Sequence, residues 1–203
     1  MDIHELKVRD PKRFEKEYWD WCSIVYFEPD IEWLQDEGRK YGFDIEHIHY
    51  TLGYSQGDGA SWEGRVDLKA FMETHGYSGT PVGVVFDALI TDGYMDGHAP
   101  IMCGGRSNYM YSEECNTHTW GIEEAITYGA LRGANVREMY ESVGGDSALD
   151  ELIDEAVQAA RDYAGDIYRA VRDDYEHETS EEAFIENCEC NGVEFDEEDF
   201  ATV

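Results

Sequence analysis

Basic residues are scarce in this sequence: 15 Lys and Arg stand against 46 Asp and Glu, a formal net charge of −31. A chain so poor in cations has little with which to neutralise phosphates. That excludes nucleic-acid binding through a basic groove and attraction to an anionic membrane. No apolar run approaches the roughly 20 residues that cross a bilayer. The start, Met1-Asp2-Ile3-His4-Glu5, has neither the basic stretch nor the apolar run of a secretory signal. The expected location is therefore the cytoplasm. Cysteines number five, Cys22, Cys103, Cys115, Cys188 and Cys190. An odd count without an export signal points to free thiols. Cys188-x-Cys190 lacks the second tight pair of a zinc site, and His98, Cys103, Cys115 and His118 would have to converge from separate segments, so no metal or other cofactor is expected. The Gly-x-Ser-x-Gly elbow of hydrolases and the Asp-x-Asp-x-Asp-Gly calcium loop are both missing.

What is present suffices for a core: 42% of residues are apolar and 13% aromatic, too many for wholesale disorder. Asp10-Pro11 reads as a helix start, an N-cap followed by proline at the first helical position. Phe14, Tyr18, Trp21, Cys22 and Val25 then recur at helical spacing. Asp30 caps a second short helix carrying Ile31, Trp33 and Leu34, ending near Gly42. The period changes to two over residues 45–52, Asp58-Gly59 marks a hairpin turn, and residues 60–68 return as a strand. A short helix or turn follows over 69–75. Residues 82–90 and 101–111 read as strands, and 119–131 as a strand leading into a helix around Ile122 to Ala125. Ser147 reads as the cap of a long helix near 147–177, with Asp150 in the reciprocal position. Its apolar stripe runs from Leu149 to Val171, and Gly165 reads as a point of close packing. Thr179-Ser180-Glu181-Glu182 opens a last helix to about Cys188, and Asn191-Gly192 stops it. The expected class is α+β: an antiparallel sheet of about four strands centred on 45–68 and 82–111, packed by N-terminal helices and a long C-terminal helix. One domain over 1–203 is expected, an α+β core over 1–145 with an acidic helical segment over 146–203 packed on it. A shared core would give Trp19, Trp21, Trp33 and the 149–171 stripe their partners.

The run Gly53-Tyr54-Ser55-Gln56-Gly57-Asp58-Gly59-Ala60-Ser61-Trp62-Glu63-Gly64 resembles the Ser-Gln-Gly-Asp-Gly-Ala-Ser-Phe-x-Gly signature of a family of tailed-phage proteins, some labelled antitoxin-like. Trp62 stands where the family has Phe. The resemblance extends to the run from Arg13 to Trp21, to Ile167-Tyr168-Arg169 through Tyr175, and to Thr179 through Ala183, while residues 77–145 match poorly. It implies a phage origin, hence a host-cell cytoplasm, and brings no catalytic residue with it.

Three sets of residues are candidates for function. Gly57, Asp58 and Gly59 expose backbone N–H groups that would cradle an anion beside Ser55, Gln56 and Ser61. The plainer reading is a hairpin turn, because a phosphate loop needs a following Lys and a helix, and Trp62 and a strand follow instead. His47 and His49 lie two apart and share a strand face. With Asp58 they would offer a ligand or metal site, against the plainer reading of a half-exposed sheet. The third set is the acids of the C-terminal third, where residues 146–203 hold 20 acids and 3 bases. Asp150, Glu151, Asp154, Glu155, Asp162, Asp166, Asp173, Asp174, Glu181 and Glu182 read as a partner-binding surface. A net charge of −31 corresponds to roughly 50 Å of duplex DNA. A compact chain of this length spans on the order of 40 Å. The total charge thus suits a DNA mimic, and the arrangement decides. Low lysine, 5 against 10 arginines, also fits a high-salt habitat. The leading expectation is a non-enzymatic, phage-encoded inhibitor that binds a basic surface of a host defence or nucleic-acid-processing protein. An antitoxin-like protein neutralising a cognate toxin is the second. A small-ligand binder or enzyme using the 53–64 loop with His47 and His49 is the third.

Overall fold

The computed structural model describes residues 1–53, 58–103, 117–118 and 134–196. It is an α+β structure with eight helices and a sheet among the described residues. The helices are α1 (Ile3–Arg9), α2 (Pro11–Cys22), α3 (Ile31–Arg39), α4 (Leu68–Thr74), α5 (Pro81–Thr91), α6 (Ala134–Ser142), α7 (Asp146–Glu178) and α8 (Glu181–Cys190). The strands are β1 (Phe43–Thr51), β2 (Gly59–Asp67), β3 (His98–Cys103) and β4 (Thr117–His118), in the order β1-β2-β3-β4 with every pair antiparallel. The chain forms two compact units, Met1–Pro29 with the chain from Val171, and Asp30–Ala170.

In the terminal unit, Ile3, Leu6, Phe14, Phe184 and Cys188 form the core, with Tyr18, Trp21 and Phe195 packed against it. Phe14 meets Phe184 edge-on, with ring centroids 5.6 Å apart. The Met1 ammonium donates to the Phe195 carbonyl (3.0 Å) and the Phe195 N–H to the Met1 carbonyl (2.9 Å), tying the two ends of this unit together. Three helix starts are capped where the sequence places them. Asp10 accepts from the Arg13 N–H, Asp30, in the central unit, from Trp33, and Ser180 from Ala183.

The central unit is built on β1 and β2. Their register shifts between Ile45 and His47, a bulge that takes up one extra residue. Phe43 and Ile45 are buried ahead of it; beyond it Ile48 and Tyr50 are half-buried while His47 and His49 are exposed. Gly64 sits opposite this bulge, and a Cβ there would lie 2.1 Å from the Asp44 carbonyl oxygen, so no larger residue fits without movement. The long helix α7 packs on the sheet. Trp62, fully buried, donates its Nε1–H to the Ala160 carbonyl (3.2 Å). Phe43 stacks obliquely on both Trp62 and Tyr163, at 5.1 and 5.8 Å. The Tyr163 hydroxyl donates to the Leu34 carbonyl, fixing α3 to α7.

Four local expectations are corrected. Residues 82–90 form helix α5 and not a strand: Thr80 Oγ1 accepts the Gly83 N–H, Pro81 takes the first turn, and Gly83, Phe86 and Leu89 bury one helical face. Val82, Val84 and Val85 favour strands, and the local cap overrides them. Helix α7 begins at Asp146, so Ser147 is inside its first turn; the Leu149 N–H bonds the Gly145 carbonyl, making Gly145, at φ +54°, the capping residue. Gly165 makes no close approach, since an added Cβ would meet only Arg169 Nη1 at 3.5 Å. Trp19 and Trp33 are 60% and 51% exposed and hold no place in a core, whereas Trp21 packs on Phe184 at 5.3 Å. The expected elements within 104–111 and 119–131 lie outside the described residues.

Candidate functional site

At 3.6 residues per turn, the buried side chains of α7 within the central unit, from Ala148 through Ile167, gather on one side of the helix. Asp150, Glu151, Asp154, Glu155, Asp162 and Asp166 are all exposed on the remainder. The surroundings of these six acids differ. Asp166 pairs with Arg169, and Asp162 accepts from Gln158 Nε2 (2.9 Å). Glu155 accepts from the Tyr77 hydroxyl (2.6 Å). Among the described residues, no ion pair involves Asp150, Glu151, Asp154 or Glu155. By contrast, eight of the nine Lys and Arg in residues 1–100 pair with a carboxylate. Acids near those cations are compensated locally; among the described residues, the first turns of α7 bring four carboxylates without an ion pair within six residues.

Density sets what the stripe resembles. Asp150 to Asp166 spans about 24 Å at the helical rise, roughly one of the six carboxylates per 4 Å. One nucleic-acid strand carries about one charge per 3.4 Å and a duplex about one per 1.7 Å. The stripe approaches the charge of a single strand and has about half that of a duplex.

The remaining four candidates lie in the terminal unit. Asp173 pairs with Arg172 (2.8 Å) and Glu181 with Lys7. Asp174 and Glu182 are exposed.

Beside the α7 stripe lies a cavity of about 180 Å³ between α4, α5 and the loop joining them, lined by Met72, Tyr77, Gly83, Val84 and the Lys69–Asp87 pair (2.6 Å). Ligand pockets usually run to about 300–1,000 Å³, so this one suits a single side chain better than a cofactor. Tyr77 joins cavity and stripe. Burial and then its bond to Glu155 hold its phenol well above the ordinary tyrosine range, with Glu151 adding to the effect. Tyr140, buried and bonded to Asp146 (2.8 Å), is raised for the same reasons. No residue pattern announces the cavity, because its walls come from α4 and a helix that reads as a strand.

Of the loop candidates, Ser55, Gln56 and Gly57 lie outside the described residues. Asp58 is buried and accepts the Gly53 N–H (2.8 Å). Gly59 opens β2, and Ser61 is buried opposite His49. His49 Nε2 lies 3.9 Å from Glu63 Oε1, and His47 faces Glu63 in register. Among the described residues, no three His, Cys, Asp or Glu side chains gather as metal ligands would. Among the described residues, no helix is long and apolar enough to cross a membrane. Comparison with protein families, with curated proteins and with solved structures finds no match to this chain.

Proposed function

We propose that this chain is a non-enzymatic binding protein whose α7 carboxylates engage a basic surface of a partner protein. The observation that carries the reading is the set Asp150, Glu151, Asp154 and Glu155. They are exposed within six residues and form no ion pair among the described residues, in a chain that otherwise places its cations against its acids. Such a field speeds encounter with a cationic partner and penalises anionic ones. The near match to one strand's charge density favours partners that otherwise hold a phosphate backbone. The resemblance of residues 53–64 to tailed-phage proteins supports a host defence or nucleic-acid-processing protein in that role. The test is displacement. Host proteins held on immobilised DNA are washed with this chain, and with a variant carrying Asp150→Asn, Glu151→Gln, Asp154→Asn and Glu155→Gln. The intact chain should release specific proteins at low salt, with release falling at least ~10-fold toward 0.5 M salt and in the variant. Equal release by the variant, or none by either, contradicts the reading.

A further inference from the structure

Within the terminal unit, three large apolar side chains point into solvent along one short segment: Trp19 is 60% exposed, Ile24 78% and Tyr26 83%. The backbone beneath them is held in place. The Tyr18 hydroxyl donates to the Thr179 carbonyl (2.7 Å), and Trp21 packs on Phe184. The Ser23 and Val25 N–H groups donate to the Trp19 and Trp21 carbonyls, at 3.1 Å each. Further on, Phe27 meets Tyr175 edge-on at 5.3 Å. From Ile24 to Pro29 the side chains alternate: Val25, Phe27 and Pro29 turn inward, while Ile24, Tyr26 and Glu28 turn outward. The exposure therefore comes from an anchored backbone, and exposed Trp and Tyr on such a frame are the residue types that dominate binding energy at interfaces.

Charge says what covers them. Glu15, Asp20 and Glu28 flank the aromatics, the Tyr26 hydroxyl lies 3.4 Å from Glu28 Oε2, and the nearby Lys16 is paired with Asp20 (3.9 Å). At a net charge of −31, a second copy of this chain, an anionic membrane and a nucleic acid are all repelled. A guanidinium satisfies both halves of the surface: it stacks on Trp and Tyr faces and bonds carboxylates through its fork, which an ammonium does less well. We propose that the Trp19–Glu28 surface takes an arginine-bearing segment of a partner protein, with guanidinium groups over Trp19 and Tyr26 and bonded to Asp20 or Glu28. This rests on the reading of a cationic protein partner, but it uses residues of the terminal unit and none of the Asp150–Glu155 set.

The test compares two probes of equal charge, a peptide of six Arg and one of six Lys, each interleaved with Gly and titrated by fluorescence anisotropy. The full chain should bind the Arg peptide roughly three- to tenfold more tightly. Trp19→Ala with Tyr26→Ala, both at exposed positions, should abolish that preference while leaving circular dichroism unchanged. The variant neutralised at 150, 151, 154 and 155 should keep the preference and weaken both peptides alike. Its failure to weaken either would count against the α7 reading alone. Equal affinity for the two peptides in the full chain, or an Arg preference that survives the double alanine variant, overturns the proposal. So does binding of neutral lipid vesicles, or concentration-dependent dimerisation, that the double variant abolishes.

Discussion

Gly165 lies in the middle of α7, where an added Cβ would have ordinary contact with Arg169 alone. Glycine loses more chain entropy on folding than alanine, so Gly165→Ala should stabilise the protein by about 0.5–1 kcal/mol, read as a higher urea midpoint. Gly64→Ala should do the opposite, because its Cβ would stand 2.1 Å from the Asp44 carbonyl oxygen, a backbone atom held by the bulge. A loss of about 2 kcal/mol or more is expected, with the midpoint falling accordingly. Tyr18 links structure to pH. Burial, then its bond to Cys22, pushes its phenol up to about 12 from an ordinary 10.0. A raised folded-state pKa favours the folded protein below the unfolded value and loses that advantage as pH rises through the folded one. Stability should therefore hold up to about pH 10 and decline toward pH 12, with Tyr18→Phe flattening part of the decline. A profile unchanged by that substitution would show that Tyr18 is not the titrating group.

Among the elements, α5 depends most visibly on one side chain. Thr80 caps it, and Thr80→Ala should cost about 1 kcal/mol in chemical denaturation, against little change if the Val-rich sequence alone held the helix. This helix also shows where reading from sequence stops. Caps at Asp10, Asp30 and Ser180 are legible because the side chain and the N–H it serves are three residues apart. The β1–β2 hairpin is legible from its two alternating runs, but Asp58-Gly59 misplaces the turn, since Gly59 already pairs with Thr51 in β2. Val82, Val84 and Val85 mislead, since their strand preference is local and the burial of Phe86 and Leu89 is not. The start of α7 was obscured in the same way, by a positive φ at Gly145 that no residue pattern announces. Exposed acids on α7 could be named from spacing alone. Which of the C-terminal acids has a cationic neighbour is only partly legible: Arg169 and Arg172 take partners close in sequence, whereas Lys7 reaches Glu181 on α8 only in the fold.

Over the whole molecule, charge is the dominant stress. A chain of net −31 repels itself, and the excess is densest on 146–203, where 20 acids stand against 3 bases. Salt shortens the range of that repulsion from about 30 Å at 0.01 M to about 3 Å at 1 M. The melting temperature should rise by several degrees across that range while partner binding weakens. Stability and binding therefore respond to salt with opposite signs, which an uncharged docking surface would not produce. The most direct measurement is zero-length carbodiimide cross-linking of this chain to a protein it displaces from DNA, since that reagent joins only carboxylates and lysine amines already in contact. Cross-linked peptides should map to Glu151, Asp154 and Glu155 of α7; cross-links confined to other carboxylates, with 150–155 unmodified by the partner, would contradict the account.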